Sequence, residues 1–513
     1  MKRLLPGLVF AAFWLVLAAG GRSNFFRDPG TYWHTVVGEK VLTEGFFDRD
    51  PFTFSFEGQI WIPHQWLGEV AMALAHRVNG FDAQFAAVTG MLAALFTALT
   101  LRFVRTGVNP VAAVLAVGLV LAASATHFHV RPHLATILGV AVTMMVVVDV
   151  ESGRRRWTFV AALIPVYLVW ANTHGGVLGG LTTLGLAGFG WALAALLGRP
   201  TPTPTARSVA GLSLIGLVCG AVCFANPYGV RIPETWLAIM HAPKLPEIIV
   251  EHAPTDFAEP ATWPLALLMA GYVALLAGVP PTRWRVSWLF PLFWLVQAYG
   301  RVRHAPLFAV AAAVAAADLW PRTRWARLVA TRRPDFYDPA AAPKPLTGRD
   351  RLVAWALPLV LVAGVAALQV SHSPWGRWAK FDETYWPADS LPAMRQHEPK
   401  PGEPDHLFND YIDGAYSIYH TPGYKVFVDD RCELFGDDWL AEFVHAGGAG
   451  PPEVATKVAE WQANHGRFDF ALTRKGTAFD AYFAARPGEW SAEFVGDVSR
   501  FYTRARPECS PTP

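Results

Sequence analysis

Residues 85–104 read FAAVTGMLAALFTALTLRFV, and Arg102 is the one charged side chain in that run. A helix rises about 1.5 Å per residue, so a run of this length spans the roughly 30 Å hydrocarbon core of a bilayer. Working outward, apolar runs recur at residues 4–21, 110–126, 134–150, 157–170 and 177–197, then at 209–225, 263–279, 286–298, 305–320 and 352–370. They add up to about eleven spans, those starting at 157, 286 and 305 being short of the roughly 20 residues a crossing prefers. Of the 513 residues 53% are hydrophobic and 16% charged. That is more apolar surface than one soluble core needs, so most of it must meet lipid.

Orientation follows from where the basic residues fall, because short cytoplasmic loops carry an excess of Lys and Arg. Alternate connections hold Lys2 and Arg3, Arg102 and Arg105, Arg154 to Arg156, Arg199 and Arg207, and Arg283 and Arg285. The next connection, residues 321–351, holds Arg322, Arg324, Arg327, Arg332, Arg333, Lys344, Arg349 and Arg351. With eleven spans these share one side, which places the N-terminus in the cytoplasm and the tail outside. Residues 4–21 then read as a retained signal anchor, with no small-x-small cleavage pattern before Arg22.

The division expected from the sequence is a transmembrane domain, 1–370, with a first outer loop at 22–84 and a cytoplasmic linker at 321–351, followed by an extracytoplasmic domain, 371–513. The tail is polar enough to fold in water. Residues 406–411, 425–428 and 468–472 look like strands and 452–465 like a helix, giving a small α/β domain. In the first loop, residues 66–75 are mostly apolar around Glu69 and read as a helix lying in the membrane interface. A net charge of +2, with Lys and Arg dispersed over short loops, excludes a nucleic-acid partner. The four cysteines are too few for a disulfide framework: Cys219 and Cys223 lie in an apolar run, and Cys432 and Cys509 could pair only if the tail is outside.

Topology and polar residues together give the candidate site. The first loop holds Asp28, His34, Asp48, Asp50, His64 and Glu69. Further outer connections hold HFHVRPH (His127, His129, Arg131, His133), NTHGG (Asn172, His174), NPYG (Asn226 to Gly229), EHAPTDF (Glu251, His252, Asp256) and YGRVRH (Arg301, Arg303, His304). Ionisable groups at membrane depth are expensive, and their gathering at one rim marks a site. Each piece also has a structural reading. Asp48 and Asp50 suit turns before Pro51, NPYG is a turn signal, and a lone histidine usually satisfies local hydrogen bonds. In the tail, Asp410, Asp413, Asp429, Asp430 and Arg431 sit near strand ends, where capping turns is favoured over binding an acceptor.

The segments FRDPGTYWHTVVGEKVL, DRDPFTFSF and WIPHQWLGE, followed by RPH, WANTHGG, NPYG and KVFVDDRCELFG, resemble the polyprenyl-phosphate-dependent GT-C glycosyltransferases. Within that superfamily they look like the bacterial multi-pass proteins related to the protein mannosyltransferase and aminoarabinose transferase group. The similarity extends over most of the chain, and its pieces are distinctive in order and placement rather than singly.

The resemblance implies a GT-C-like α-helical polytopic membrane protein of the inner membrane. It implies inverting transfer of a hexosyl group from a polyprenyl-phosphate sugar to a lipid, glycan or protein acceptor outside the cytoplasm. It makes Asp28 the base, although Pro29 and Gly30 stand where many relatives carry a second acid. The chemistry asks for a proton acceptor, which Asp28 or His34 supplies, and for cations on the departing phosphate. Arg131, Arg301 and Arg303 are the candidates for the second role, with Asp50, His64, Glu69 and His174 as further substrate-binding residues. No metal site is assigned, but a divalent cation with Asp48 and Asp50 as oxygen ligands is an alternative way to stabilise charge. Two other functions stay open: a lipid-linked glycan flippase, which would carry polar residues through mid-membrane and paired helix breaks, and an inactive surface-binding membrane protein. Sugar, acceptor and oligomeric state are not legible.

Overall fold

A computed structural model describes residues 4–341 and 377–505, with Gly348, Ala356, Val360 and Gly364 between them. The expected span at 352–370, and Cys509, therefore lie outside the described stretches. In chain order the first helices are α1 (Leu5–Gly20), α2 (Gly30–Glu44), α3 (Trp66–Val104), α4 (Pro110–Ser124), α5 (Leu134–Glu151), α6 (Leu163–Thr173) and α7 (Val177–Leu196). There follow α8 (Ala206–Ala221), α9 (Arg231–Met240), α10 (Leu245–Ile248), α11 (Trp263–Leu276), α12 (Phe290–Gly300), α13 (Ala305–Leu319) and α14 (Arg324–Arg332).

The chain divides into two compact units, the first made of Met1–Phe25, Ala75–Pro233 and Ile249–Ala379, the second of Phe26–Leu74, Glu234–Ile248 and Lys380–Pro513. The first outer loop, expected with the helices, thus groups with the tail. Six helical stretches among the described residues are long and apolar enough to cross a membrane: Trp66–Val104, whose part from Ala75 on belongs to the first unit, and Pro110–His127, Leu134–Glu151, Val177–Leu196, Ala206–Phe224 and Val302–Arg322 of that unit. Leu5–Gly20, Trp157–Thr173 and Pro260–Leu276 are shorter and apolar. Helix α3 is two helices merged across a break at Asn79 and Gly80, where Gly80 has φ 59°. A left-handed residue cannot continue an α-helix, and glycine adopts it without strain. The amphipathic piece read from residues 66–75 is therefore distinct from the span that follows.

Helix α13 is buried at every residue and packs against α4, α5, α11 and α12. Its sequence, APLFAVAAAVAAADL, explains this: alanine forms helix well and its small side chain lets neighbouring helices approach closely.

The second unit contains a five-stranded sheet in the order β2-β1-β3-β5-β4, with β1 (His406–Asn409), β2 (Lys425–Val426), β3 (Phe470–Arg474), β4 (Trp490–Val495) and β5 (Ser499–Arg504). Strands β2, β1 and β3 run parallel, and β5 and β4 are antiparallel additions. Three expected strands and the helix, observed as Pro451–His465, are present. The β4–β5 hairpin was not anticipated; in β4 a bulge at Ala492/Phe494 breaks the alternation that marks a strand. The core is aromatic, with Phe408, Phe427, Phe443, Trp461, Phe468 and Phe479 all buried. First-loop residues extend the sheet beside β2: Phe54 N donates to Val426 O (3.2 Å) and Val426 N to Phe52 O (3.1 Å). Helix α2 packs on the helix Asp413–His420. A Cβ on Gly38 would lie 2.0 Å from the Glu69 carbonyl oxygen, so glycine is what lets α2 approach the start of α3.

Candidate functional site

In the helical unit, the links α4–α5, α6–α7 and α12–α13 and the turn Val250–His252 supply the polar side chains. Helix α4 ends in the turn Ala125–His127, and the link to α5 carries His129, Arg131 and His133. His127 Nδ1 lies 3.6 Å from Glu251 Oε1, and the His127 and His133 rings are 4.5 Å apart. His133 Nε2 lies 3.0 Å from the His127 carbonyl oxygen, so that nitrogen carries the proton. Burial and then Arg131 push His133 down to about 4. Glu251 is pulled the other way: burial would raise it, but Arg131 and Arg303 overcome that and hold its carboxyl below the usual carboxylate range. Arg303 Nη1 donates to His252 Nε2 at 2.5 Å, and burial together with Arg303 lowers His252 to about 3. The result is neutral imidazoles at His133 and His252, an ionised carboxylate and permanent guanidinium charge, the last supplied by half-buried Arg131, Arg301 and Arg303.

His174 is fixed by its neighbours. Gly176 N donates to its Nδ1 (3.0 Å), and Thr136 Oγ1 lies 2.8 Å from the same nitrogen. Its ring is 6.4 Å from that of His133. Among the described residues one group of three side chains could hold a metal ion: ligand atoms of His127, His129 and Glu251 lie within 4.8 Å of one another. Two imidazoles and a carboxylate are a donor set typical of zinc, and three protein ligands leave a coordination position open. Buried His129 Nδ1 has no hydrogen-bond partner, as a ligand nitrogen would have none. The fit is good. The sequence had displayed these residues, but His-x-His alone names no third ligand, and Glu251 is remote in the chain.

The second unit holds Asp28, His34, Asp50, His64 and Glu69. Asp28, 6% exposed, accepts from Gly30 N (2.8 Å) and so caps the start of α2. The neighbouring Arg27 donates to Asp382 (2.6 Å) and lies 5.9 Å from the Tyr385 ring, with Arg474 5.3 Å from the same ring. Arg474 in turn holds Asp413 through two bonds of 2.6 and 3.0 Å, and its backbone N–H donates to Asp410 (2.6 Å). Burial and the adjacent Asp413 push Asp410 up to about 7.

The other four join an interior network. His34 Nδ1 sits 2.9 Å from Glu69. His64 Nδ1 is 3.6 Å from Glu433, which also accepts from Trp61 Nε1 (2.9 Å). Arg431 donates to Asp50 (2.7 Å) and Asp429 (2.6 Å) and is flanked by the rings of Phe52 and Trp61, 5.2 and 4.6 Å from its Cζ. Asp50 also accepts from Thr53 N (3.0 Å), so it serves both a turn and a buried ion pair. Asp48 and Asp50, the oxygen ligands of the alternative cation reading, enter no group of three ligating side chains among the described residues.

No protein-family model and no curated protein sequence matches the chain. Solved structures do. The Archaeoglobus fulgidus oligosaccharyltransferase, tethered to an acceptor peptide, superposes with a TM-score of 0.55 at 13% identity, over 92% of this chain and 69% of that one. The same enzyme in complex with zinc and sulfate gives 0.52 at 10% identity, over 91% and 68%. ArnT from Cupriavidus metallidurans, bound to undecaprenyl phosphate, gives 0.50 at 15% identity, over 98% and 99%. The fold is GT-C-like. The chain is an α-helical polytopic membrane protein with a small C-terminal α/β domain. Within that GT-C-like fold, Arg131, His174, Arg301 and Arg303 fall in the helical unit, and the five first-loop candidates fall in the unit that contains the sheet.

Proposed function

We propose that this chain is an inverting membrane glycosyltransferase of the inner membrane. It transfers a hexosyl group from a polyprenyl-phosphate sugar to a lipid, glycan or protein acceptor on the extracytoplasmic face, its N-terminus in the cytoplasm and its tail outside. The observation that carries this reading is the gathering of Arg131 and Arg303 about Glu251, whose carboxylate lies with His127 and His129 in a cluster of ligand atoms within 4.8 Å of one another. Guanidinium groups bind phosphate oxygens in bidentate fashion and keep their charge at any working pH. The undecaprenyl phosphate bound to ArnT and the acceptor peptide held by the oligosaccharyltransferase support a lipid-linked donor and a separate acceptor.

In the reaction, the acceptor hydroxyl gives up its proton to a carboxylate base, the role that the resemblance gives to Asp28, as its oxygen bonds to the anomeric carbon. The bond from that carbon to the phosphate oxygen breaks, and its electron pair leaves with the polyprenyl phosphate. Arg131, Arg301 and Arg303 stabilise the charge that develops there. His127, His129 and Glu251 would hold a divalent cation, which when bound supplies further charge stabilisation to an anion beside it. His174, its Nδ1 held by Gly176 N and Thr136 Oγ1, is a further substrate-binding candidate.

The test is turnover of radiolabelled polyprenyl-phosphate sugars by purified protein, with Asp28→Asn and Arg303→Gln beside it. Transfer by the parent that both variants lose while keeping their unfolding midpoint supports the reading. A folded parent that neither binds nor turns over any donor refutes it. Metal content is read separately: zinc bound stoichiometrically by the parent and lost in His129→Ala supports the cation site, and equal retention by both proteins removes it.

A further inference from the structure

The other end of the helical unit has a different electrostatic arrangement. Helix α5 begins beside His133 and ends, about 27 Å on at 1.5 Å per residue, at Asp149 and Glu151. Most carboxylates described there are committed to arginines or backbone N–H groups, Asp338 accepting from Ala340 N (2.8 Å). Asp149 accepts from Arg102 (2.7 Å) and Arg154 (3.0 Å). Asp318, its side chain fully buried, takes Arg154 (3.1 Å), Arg285 (2.7 Å), Arg322 (3.3 Å) and the Trp288 indole (3.1 Å). Glu151 accepts the backbone N–H groups of Val286 (2.8 Å) and Ser287 (2.7 Å). Asp335 is paired with Arg333 (2.8 Å).

Beyond these pairs, Arg155, Arg156, Arg283, Arg324, Arg327 and Arg332 are exposed and are not among the described ion pairs. Two of them lie on aromatic rings: Arg155 is 4.8 Å from the centroid of Phe159, and Arg324 is 4.2 Å from that of Trp325. A guanidinium resting on a ring keeps its N–H edge free to bind an anion. The apolar counterpart is present at the same end: Phe159 is 37% exposed, Leu328 44%, Phe336 44% and Leu196 86%. Helix α14 is anchored by its other face, through buried Ala326 and the Trp325 indole on the Ala274 carbonyl (2.9 Å). Exposed arginines interleaved with exposed apolar side chains, on a short helix at the end of a membrane bundle, suit a surface that is anionic outside and apolar beneath.

We infer that this rim, built from residues 154–159, Arg283 and α14, binds the headgroup phosphates of anionic phospholipids in the leaflet it meets. A soluble polyanion would use the arginines and leave Leu328, Phe336 and Phe159 in water, whereas a phospholipid covers both.

The experiment uses the full chain in detergent and follows its thermal unfolding with phosphatidylglycerol, phosphatidylcholine or inorganic phosphate added. Phosphatidylglycerol is expected to raise the midpoint by several degrees, and the other two to leave it unchanged. In the variant R155Q/R324Q/R327Q/R332Q the shift falls below half while the lipid-free midpoint stays put. Should that variant fail to fold, R327Q and R332Q, which remove no described contact, are read singly for a smaller loss of the same shift. An undiminished shift in the variants, an equal shift from phosphatidylcholine, or full stabilisation by inorganic phosphate overturns the assignment.

Discussion

His34 Nδ1 and a carboxylate oxygen of Glu69 lie 2.9 Å apart, with side-chain exposures of 0% and 1%. One comes from the second turn of α2 and the other from the first turn of α3, so the pair ties the two ends of the first loop together inside the sheet-containing unit. Burial and then Glu433 raise the Glu69 carboxyl well above the usual carboxylate range, and Glu69→Ala leaves a buried imidazole without this partner, at a cost of about 1–3 kcal/mol. Chemical unfolding of the variant measures it, and a double-mutant cycle with His34→Ala isolates the coupling. A coupling of zero would mean that the contact contributes nothing.

Arg431 carries two buried carboxylates, Asp50 and Asp429. Arg431→Met strands both, and removing one side of such a buried group costs about 3–5 kcal/mol. Exchanging Asp50 and Asp429 for asparagine as well is expected to recover much of that loss. Thermal unfolding of the single and triple variants gives the comparison.

Asp410 gives a pH signature. Its folded pKa, about 7, is above that of the unfolded chain, so the folded state binds the proton more tightly. Stability from this group is therefore fully present below the unfolded carboxylate value and is lost as pH rises through about 7. The stability of the parent relative to Asp410→Asn should decline between pH 4 and 8. A difference independent of pH across that window contradicts the raised value.

Asp318 gathers three arginines and an indole at the end of α13. Asp318→Asn withdraws the charge that neutralises them, and a loss of about 3–5 kcal/mol is expected. The apparent midpoint in detergent reads it.

Much of the helical unit was legible, because an apolar run of about 20 residues has few structural alternatives. The break at Asn79 and Gly80 was likewise announced by a polar gap. Three strands and one tail helix followed from local pattern, while β4 escaped through its bulge and β5 was missed with it. What the sequence hid was long-range pairing. Asp50 and Arg431 are 381 residues apart, and nothing local in DRDPF or VDDRC names the other. The tail acids near Arg431 had been read as turn formers, and Asp429 does accept the backbone N–H of Arg431 (3.0 Å), but it also holds that guanidinium. At the candidate site Arg131 and Arg303 were identifiable by chemistry. The set of His127, His129 and Glu251 needed the fold to bring two distant links together.

The division of the chain also bears on how the protein is made. Residues Phe26–Leu74 share a folded unit with Lys380–Pro513, so this loop leaves the ribosome long before its partner exists. At about 5–20 residues per second, the roughly 300 intervening residues take some 15–60 s to synthesise. Throughout that interval Asp50 lacks Arg431, and the strand-like stretch around Thr53 lacks the sheet edge it joins. The nascent loop must be kept from aggregation or proteolysis while the helices between are inserted. A chain stopped before the tail is therefore expected to present this loop as a target for quality control.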